Sequence, residues 1–494
     1  MNKLLKKRCW VVICSIIHLI LTTYSDNHFF EGPISAHFPT WIFLKVLLFV
    51  FLLFLWNSIL SIANGSNLEL RAIIIYALPY FCILVFYMLL KHNMYLVGDE
   101  YNIYSQVLKY NIFPYHFTYF TGLIYALSYM LIPCQMGIVF IKIILQALVC
   151  GYFIFRFKNI VGKKGYVVYL LFLLPPVIEN GILVHRMHFY ALLYVYIIMK
   201  ILLDSYEKIK LSNKNLFLLL MFLGILTIWR KEGIYLLIIA PILLCCAYQI
   251  KDKRKYAIVC ITWIAIFLCL YSPQLISGKK FTQEAGGTYL GWFVNMCREG
   301  LEIEKYPEQM KKIDKYVSLD AVEYINNELG DRNYEDVYIV WLEGYIGVRK
   351  DHSKQEYQEF TKAVQELILK EPTSFVKTRI KLWFYTAGKI NFSSIREGCK
   401  SFLYNLNIPL LAIIVSFFIA IINRNWLLFW ICGMTIAHCA VTLVFAPAAY
   451  FKYYYQLYLL GWMLIILFVL WCYKYFVHKN FNKTGTTFIG ETGD

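Results

Sequence analysis

The chain has 494 residues, of which 60% are hydrophobic, 18% are aromatic and only 16% are charged, and this balance excludes an ordinary soluble domain. The formal net charge of +17 does not indicate nucleic-acid binding, because it is carried by short segments between apolar runs and not by one basic surface. The longest polar stretch, residues 277–400, holds 19 basic and 19 acidic residues and is neutral.

Apolar runs recur along the chain that reach the roughly 18 residues needed to cross the hydrocarbon of a bilayer. They must be helices, because unpaired backbone groups are too costly in lipid. The sequence therefore predicts an all-α polytopic membrane protein with about 12 transmembrane helices, interfacial helices and one small extracytoplasmic domain between the ninth and tenth spans. Pro175 and Pro176 predict a kinked or broken fifth span. The predicted spans are residues 9–24, 41–63, 72–90, 135–155, 166–177, 188–203, 216–229, 234–249, 256–276, 403–422, 426–445 and 456–473.

The sidedness of the loops follows from their charge. Residues 1–25 have a basic start and an apolar run, as a signal sequence does, but no Ala-x-Ala-like cleavage site follows, so we expect an uncleaved first span. If the run 118–131 is an interfacial helix, the inner loops carry 21 Lys and Arg and the short outer loops carry six. This asymmetry predicts a multi-pass protein of the cell membrane with both termini cytoplasmic. A competing topology drops one of the first three spans and counts 118–131 as a crossing.

The predicted outer loops are short, and each joins two adjacent helices, so their side chains can meet at one membrane surface. A single charged residue at a helix end commonly reaches toward water and has no further role. Several on one surface are a better indication of chemistry. The charged residues and histidines predicted there are Asp99, Glu100, Glu179, His185, Arg186, His188, Arg230, Lys231 and Glu232.

Asp99 and Glu100 stand in the most informative outer loop, ahead of a predicted amphipathic helix at residues 102–111 and an aromatic-rich interfacial helix at 113–131. Two adjacent carboxylates near lipid suit acid/base chemistry or a divalent cation, and partial burial would raise a carboxyl pKa toward neutrality. The basic side chains of the neighbouring outer loops suit a phosphate or pyrophosphate. A solvated loop cap is the alternative.

Four segments carry a resemblance to a known family, and they occupy about the first half of the chain. They are Gly98-Asp99-Glu100-Tyr101 followed by Tyr104, Phe113-Pro114-Tyr115-His116 with the run to Pro133, residues 183–203, and residues 223–233 with their final Arg230-Lys231-Glu232-Gly233. In their order, spacing and common side they resemble the GT-C superfamily of membrane glycosyltransferases, in particular the protein O-mannosyltransferase and aminoarabinose-transferase branch. The first looks like the Asp-Glu motif of that family, and the second is similar to its juxtamembrane helix.

The resemblance implies a role for individual residues. It makes Asp99 the catalytic base and Glu100 its partner or a metal ligand. It makes Arg230 or Lys231 a binder of the donor phosphate. The chain departs from the family in two extra N-terminal spans and in the lack of an outer Asp within residues 183–203, which leaves the use of a divalent cation open. The predicted substrate-binding residues are His185, Arg186, Arg230, Lys231 and Lys452.

The predicted domains are a catalytic-type bundle at 1–276 with its outer loop at 92–134, an extracytoplasmic domain at 277–400, C-terminal spans at 401–475 and a cytoplasmic tail at 476–494. Helical patterns occur within the outer domain at 319–329 and 355–369, Pro372 is a possible helix start, and residues 374–385 read as a surface-lying amphipathic helix. Such a domain commonly helps to choose the acceptor in GT-C proteins, and a packing cap fits equally well. Cys297 and Cys399 form a disulfide or two free thiols. Lys452 stands among tyrosines typical of an interfacial belt and could also meet a phosphate.

Three functions fit these patterns. The first is a glycosyltransferase that moves a sugar from a polyprenyl-phosphate-linked donor to a lipid, glycan or protein acceptor on the outer side. The second is a polysaccharide polymerase or ligase of the O-antigen or capsule type, which would depend on outer arginines more than on Asp99. The third is a lipid flippase or transporter. It is disfavoured because charged residues such as Lys45 and Lys142 are scarce within the predicted spans.

Overall fold

The computed structural model describes residues 2–31, 34–91, 96, 98–114, 117–277, 287–329, 348–349, 352–388, 395–446 and 449–484. Across these residues the protein is helical and has no β-strand, only two isolated β-bridges. The predicted all-α fold is therefore confirmed. The α-helices are α1 (Asn2–Phe29), α2 (Phe38–Ala63), α3 (Leu68–Lys91), α4 (Asp99–Leu108), α5 (Tyr119–Leu131), α6 (Gly137–Val161), α7 (Val168–Phe172), α8 (Pro175–Ile182), α9 (Arg186–Tyr206), α10 (Asn213–Trp229), α11 (Leu236–Tyr248), α12 (Lys253–Ile276), α13 (Gly287–Arg298), α14 (Pro307–Asp314), α15 (Leu319–Leu329), α16 (Lys354–Lys370), α17 (Pro372–Ala387), α18 (Ile395–Leu403), α19 (Asn407–Ile422), α20 (Trp426–Phe445) and α21 (Tyr455–Thr484).

Nine helical segments in the described part of the chain are long and apolar enough to cross a membrane. The predicted spans at 216–229 and 234–249 correspond to the shorter apolar helices α10 and α11. The predicted span at 166–177 corresponds to α7, which ends the long segment that begins with α6, together with the short α8. Every predicted span thus coincides with a helix or a broken pair of helices. The molecule is a polytopic helical protein, as its composition predicts.

The fifth predicted span is broken, as its two prolines indicate. α7 ends at Phe172 and α8 begins at Pro175, where a proline is tolerated because the first N–H groups of a helix have no partner within it. Before α7 the chain leaves α6 at Gly162, whose φ of 65° suits glycine. α7 and α8 both pack against α6.

The helix predicted at residues 102–111 begins earlier than expected. It is α4, which starts at Asp99, so Asp99 and Glu100 stand in its first turn and not in the loop before it. The positive end of the helix dipole favours carboxylates at this position. The helix can start so abruptly because Gly98 adopts a φ of 55° and a ψ of −116°, a conformation that is open essentially to glycine alone.

The predicted interfacial helix also differs at its start, because it begins at Tyr119 and not at residue 113. Thr118 has an extended backbone, and its hydroxyl donates to the carbonyl of Trp229 at 3.3 Å. The N–H of Tyr119 donates to the side-chain oxygen of Gln274 at 3.0 Å. α5 therefore starts at the C-terminal ends of α10 and α12. Its 13 residues cover only about 20 Å, less than the roughly 30 Å of a hydrocarbon core.

The segment after α12 has a hydrophobic core of its own. Phe293, Ile313, Phe360 and Leu367 are fully buried in this second core, which α13, α14, α15 and α16 share. α15 and α16 confirm the two helical patterns predicted in this segment, and α17 begins at its proline, as predicted.

The second core is joined to the bundle at the end of α20. Arg379 on α17 donates to the carbonyl of Ala446 at 2.9 Å, and the indole N–H of Trp292 donates to the carbonyl of Val444 at 3.1 Å. Because carbonyls at a helix C-terminus lack partners within the helix, they are natural acceptors for such contacts.

Cys297 and Cys399 are both free thiols. Cys297 packs against the second core, whereas Cys399 is exposed on α18. Of the two alternatives that the sequence left open, the structure therefore has the unpaired one.

Candidate active site

The two adjacent carboxylates of α4 lie in different environments. The side chain of Asp99 is 42% exposed, whereas that of Glu100 is fully buried. Neighbouring residues of a helix point about 100° apart, so one can face the bundle while the other faces outward. Only Asp99 is open to a second molecule.

Two residues form hydrogen bonds with Glu100, namely Tyr125 on α5 and Arg186 at the start of α9, and His185 lies close to it. The hydroxyl of Tyr125 on α5 donates to one carboxylate oxygen, and the other accepts from the backbone N–H and the guanidinium of Arg186 at 3.3 and 3.2 Å. His185 places its Nε2 3.6 Å from that same oxygen. Burial raises the pKa of Glu100, and the charge of Arg186 opposes this shift.

Arg186 links the two carboxylates. Its Nη1 lies 3.3 Å from Asp99 and 3.2 Å from Glu100, and its guanidinium lies 3.7 Å from the ring centroid of Phe117. A guanidinium over a ring and against two carboxylates is fixed in place. Arg186 therefore holds together α4, α9 and the segment before α5.

His185 caps the start of α9. Its Nδ1 accepts the backbone N–H of Met187 at 3.2 Å, which leaves the proton of a neutral ring on Nε2 and directs it toward Glu100. Burial lowers the pKa of His185 well below its usual range, and the nearby positive charges act in the same direction. The ring is therefore neutral at physiological pH.

Lys142 on α6 contacts the segment that leads into His185 and α9. It is fully buried and donates to the carbonyls of Asn180 and Leu183, and its Nζ lies 3.2 Å from Nδ1 of His188. The rings of His188 and His185 have centroids 5.5 Å apart. Lys142 thus anchors the turn that carries His185. The sequence interpretation identified Lys142 only as a rare charge within a span.

Lys452 belongs to the same group of charges. It lies in the 3-10 turn before α21, 4.6 Å from the ring centroid of Tyr450, and the charges of Asp99, Glu100 and Arg186 act on it. Among the described residues, no carboxylate oxygen lies within ion-pair distance of its ammonium group. We call Asp99, Glu100, His185, Arg186 and Lys452 the carboxylate cluster.

Arg230 lies nearby but pairs with a different carboxylate. Its Nε and Nη2 donate to the two oxygens of Glu232 at 3.2 and 2.9 Å, and its guanidinium lies 5.5 Å from the ring centroid of Tyr190. Tyr190 follows Arg186 by one turn of α9, which is about 6 Å along the helix axis. The carboxylate cluster and Arg230 are therefore neighbours at one end of the bundle. The side chain of Lys231 lies outside the described residues.

Glu179 does not join the carboxylate cluster. On α8 it accepts from the hydroxyls of Tyr404 and Tyr87, the latter at 3.4 Å, and lies 3.8 Å from Lys91. This group links α3 and α8 to the segment before α19. Glu179 therefore has a set of partners that is separate from those of Asp99.

The predicted divalent cation has limited support in the geometry. No group of three or more His, Cys, Asp or Glu side chains suited to a metal occurs within the described parts of the chain. Arg186 already pairs with both Asp99 and Glu100. Metal use at these two residues stays a prediction.

The fold and this cluster together define a class, a polytopic helical protein with a group of ionisable side chains at one end of its bundle. No protein-family model matches the sequence, and neither a curated protein nor a solved structure matches it. The likeness to GT-C enzymes therefore stays a prediction from four sequence segments.

Proposed function

We propose that the protein is an integral membrane glycosyltransferase that moves a sugar from a polyprenyl-phosphate-linked donor to an acceptor on the extracytoplasmic side. One observation carries this proposal. The partly exposed carboxylate of Asp99 lies beside two cations, Arg186 and Lys452, in a cluster whose other members are buried or half-buried. A base and phosphate-binding cations side by side are what displacement of a phosphate from a sugar requires.

Each member of the cluster has a part in the proposed reaction. Asp99 accepts the proton of the acceptor hydroxyl while the acceptor oxygen bonds to the anomeric carbon. The bond from that carbon to the phosphate oxygen breaks, and polyprenyl phosphate leaves with the electron pair. Lys452 and Arg186 stabilise the negative charge that grows on this phosphate. Glu100 holds Arg186 in position and, being buried, contacts neither substrate.

The proposal includes a topology of twelve crossings with both termini in the cytoplasm. The grouping of helix ends supports it. Asp99, Arg186 and Lys452 are all predicted on the outer side and come together. At the opposite end of α9, Arg156 contacts Asp204 at 2.8 Å, and both are at helix ends predicted to be inner. If the sides had been assigned wrongly, residues predicted on opposite sides of the membrane would contact each other.

The predicted domain at 277–400, which contains the second core, is proposed to be extracytoplasmic and to face the acceptor. Its attachment to the end of α20 supports this role, because α20 ends on the predicted outer side. A domain at that position stands over the end of the bundle where the acceptor would enter.

Substitution of Asp99 tests the proposed function. Purified full-length protein in nanodiscs, supplied with polyprenyl-phosphate-hexose and membrane extracts as acceptor, should release polyprenyl phosphate and form a glycosylated product. Asp99→Asn keeps the size of the side chain and removes the base, so turnover should fall about 100-fold or more. Asp320→Asn is the matched control, because Asp320 is an exposed Asp in the first turn of another helix.

Full activity of Asp99→Asn would overturn the proposal. If transfer then depended on the outer arginines alone, so that Arg186→Gln abolished it, a polymerase or ligase would become the better description. Uptake of the lipid into sealed vesicles without any sugar transfer would point to a transporter.

A further inference from the structure

A second polar group lies about one turn of α9 from the carboxylate cluster. Arg230 is 8% exposed and His438 on α20 is 2% exposed. The ring of His438 lies 5.5 Å from that of Tyr235 and 6.1 Å from that of Tyr190, measured between centroids, and the charges of Arg230 and Glu232 act on it. We call Arg230, Glu232, His438, Tyr190 and Tyr235 the arginine–histidine cluster.

Three polar nitrogen atoms of this cluster lack protein partners. Among the described residues, no hydrogen-bond partner reaches Nη1 of Arg230 or either ring nitrogen of His438. Buried polar groups are nearly always hydrogen-bonded, and each one left unpaired destabilises the fold. Two such side chains in one aromatic surrounding indicate that a further polar molecule binds between them.

The charge of the cluster favours an uncharged molecule. Glu232 binds two edges of the Arg230 guanidinium and neutralises it, so only Nη1 is left to donate. An imidazole in its neutral form offers one donor and one acceptor. A phosphate has acceptors only, would leave that acceptor nitrogen of His438 unpaired, and would be repelled by Glu232. Hydroxyl groups both donate and accept, so a molecule with several of them can satisfy Nη1 of Arg230 and both ring nitrogens of His438.

The aromatic rings add a second preference. Tyr190 and Tyr194 are fully buried and lie with Tyr235 around His438. A pocket that combines ring faces with a few fixed polar groups suits a ligand with an apolar face and a polar rim. A hexose ring has this character, because its C–H bonds form faces and its hydroxyls form the edge.

We infer that the arginine–histidine cluster is the subsite for the sugar ring of the donor, and that this sugar is uncharged and rich in hydroxyls. The inference rests on the proposed function and sharpens it by naming the class of sugar. It also assigns Arg230 to sugar hydroxyls, whereas the sequence resemblance implies the donor phosphate. Lys452 and Arg186 then bind the phosphate, one helical turn from the sugar.

Equilibrium binding separates the two subsites. The full-length protein in nanodiscs is titrated with polyprenyl phosphate, with polyprenyl-phosphate-hexose, and with the same lipid carrying a uronic acid. Two or three additional hydrogen bonds should make the hexose lipid bind about 10-fold to 100-fold more tightly than polyprenyl phosphate. His438→Leu should bring this ratio close to one without weakening polyprenyl phosphate, whereas Lys452→Met should weaken all three lipids.

Thr435→Val is the matched control on α20, because Thr435 is already paired with Tyr194 at 2.9 Å. If His438→Leu does not fold, a deoxyhexose lipid on the unchanged protein replaces it, and loss of a hydroxyl should lower the ratio.

Equal binding of polyprenyl phosphate and the hexose lipid would overturn the inference and leave the proposed function standing. Tighter binding of the uronic acid would overturn the uncharged class. Failure of all three lipids to bind would count against the proposed function itself.

Discussion

At the scale of single residues, the protein separates a buried carboxylate from an open one by a single step along a helix. Asp99 and Glu100 are adjacent, yet Glu100 is enclosed by Tyr125, His185 and Arg186 while Asp99 touches only Arg186 among them. A fully enclosed carboxylate cannot reach a substrate. Its value lies in fixing the guanidinium that the open carboxylate and the leaving phosphate would share.

The burial of His185 makes stability depend on pH. The pKa of His185 is lowered well below 6.5 in the folded protein. The unfolded chain therefore gains a proton below about pH 6.5 that the folded chain does not, and stability falls as the pH falls. Between about pH 7.5 and 5.5 the loss should approach 1.4 kcal/mol for this residue. Chemical denaturation in detergent at both pH values should give a smaller loss for His185→Gln.

His352→Gln is the comparison for this measurement, because His352 is an exposed histidine of the outer segment. It should keep the pH dependence of the unchanged protein. The same pH dependence in His185→Gln would mean that the ring does not stay neutral in the folded protein.

The sequence could predict which charged residues come together at this end of the bundle, but not all of their partners. Asp99, Arg186 and Lys452 were identified because they lie in the short predicted outer loops, which hold few charges. Tyr125 and His438 could not be, because a tyrosine in an interfacial helix and a histidine in a span have no local pattern that distinguishes a buried hydrogen-bonding group from packing. Their roles depend on contacts with residues far away in the chain.

At the scale of elements, the turn between α10 and α11 shows why a glycine is needed at its centre. A Cβ on Gly233 would lie 2.5 Å from the carbonyl oxygen of Leu226 and 3.0 Å from that of Thr227. Both obstacles are backbone atoms that cannot rotate away. Gly233→Ala should therefore displace the turn that carries Arg230 and Glu232, at a loss in stability of about 1–3 kcal/mol.

Gly433→Ala is the control for Gly233→Ala, because its Cβ would meet only the ring of Phe417, at 3.3 Å. Chemical denaturation should show a smaller loss for this variant. Equal losses would indicate that the turn of α10 and α11 can yield, and the crowding argument would then fail.

The helices themselves were largely predictable, and the errors have local causes. The apolar runs predicted α20 to the residue and the bounds of α2 and α3 to within four residues, since lipid imposes their length and polarity. The start of α4 was missed because Gly98 turns the chain sharply enough to place two acidic residues directly in a first turn. That turn requires a backbone conformation that hydropathy does not report.

At the scale of the whole molecule, α9 connects two different polar ends. At its start lies the carboxylate cluster with an open carboxylate and an unneutralised Lys452. At its other end Asp204 is fully satisfied by Arg156 at 2.8 Å, by Lys200 at 2.5 Å and by the hydroxyl of Tyr248 at 2.8 Å. A closed network of this kind stabilises the packing of three helices, whereas the open one at the start of α9 is available for a ligand.

The number of crossings determines on which sides these two ends lie. Nine crossings would put the two ends of the chain on opposite sides of the membrane. Twelve crossings put both ends on one side; this number counts α7 with α8 as a crossing separate from α6, and adds α10 and α11. Fusions to a reporter that fluoresces only in the cytoplasm and to a phosphatase that is active only outside distinguish the two. We expect fluorescence from a fusion after residue 484 and phosphatase activity from an insertion at Glu304, in the outer segment. Fluorescence at Glu304 together with phosphatase activity after residue 484 would instead match nine crossings from a cytoplasmic N-terminus, with six before the outer segment and three after it. It would also remove the basis for placing Asp99 and Lys452 on the side where a polyprenyl-linked sugar is transferred.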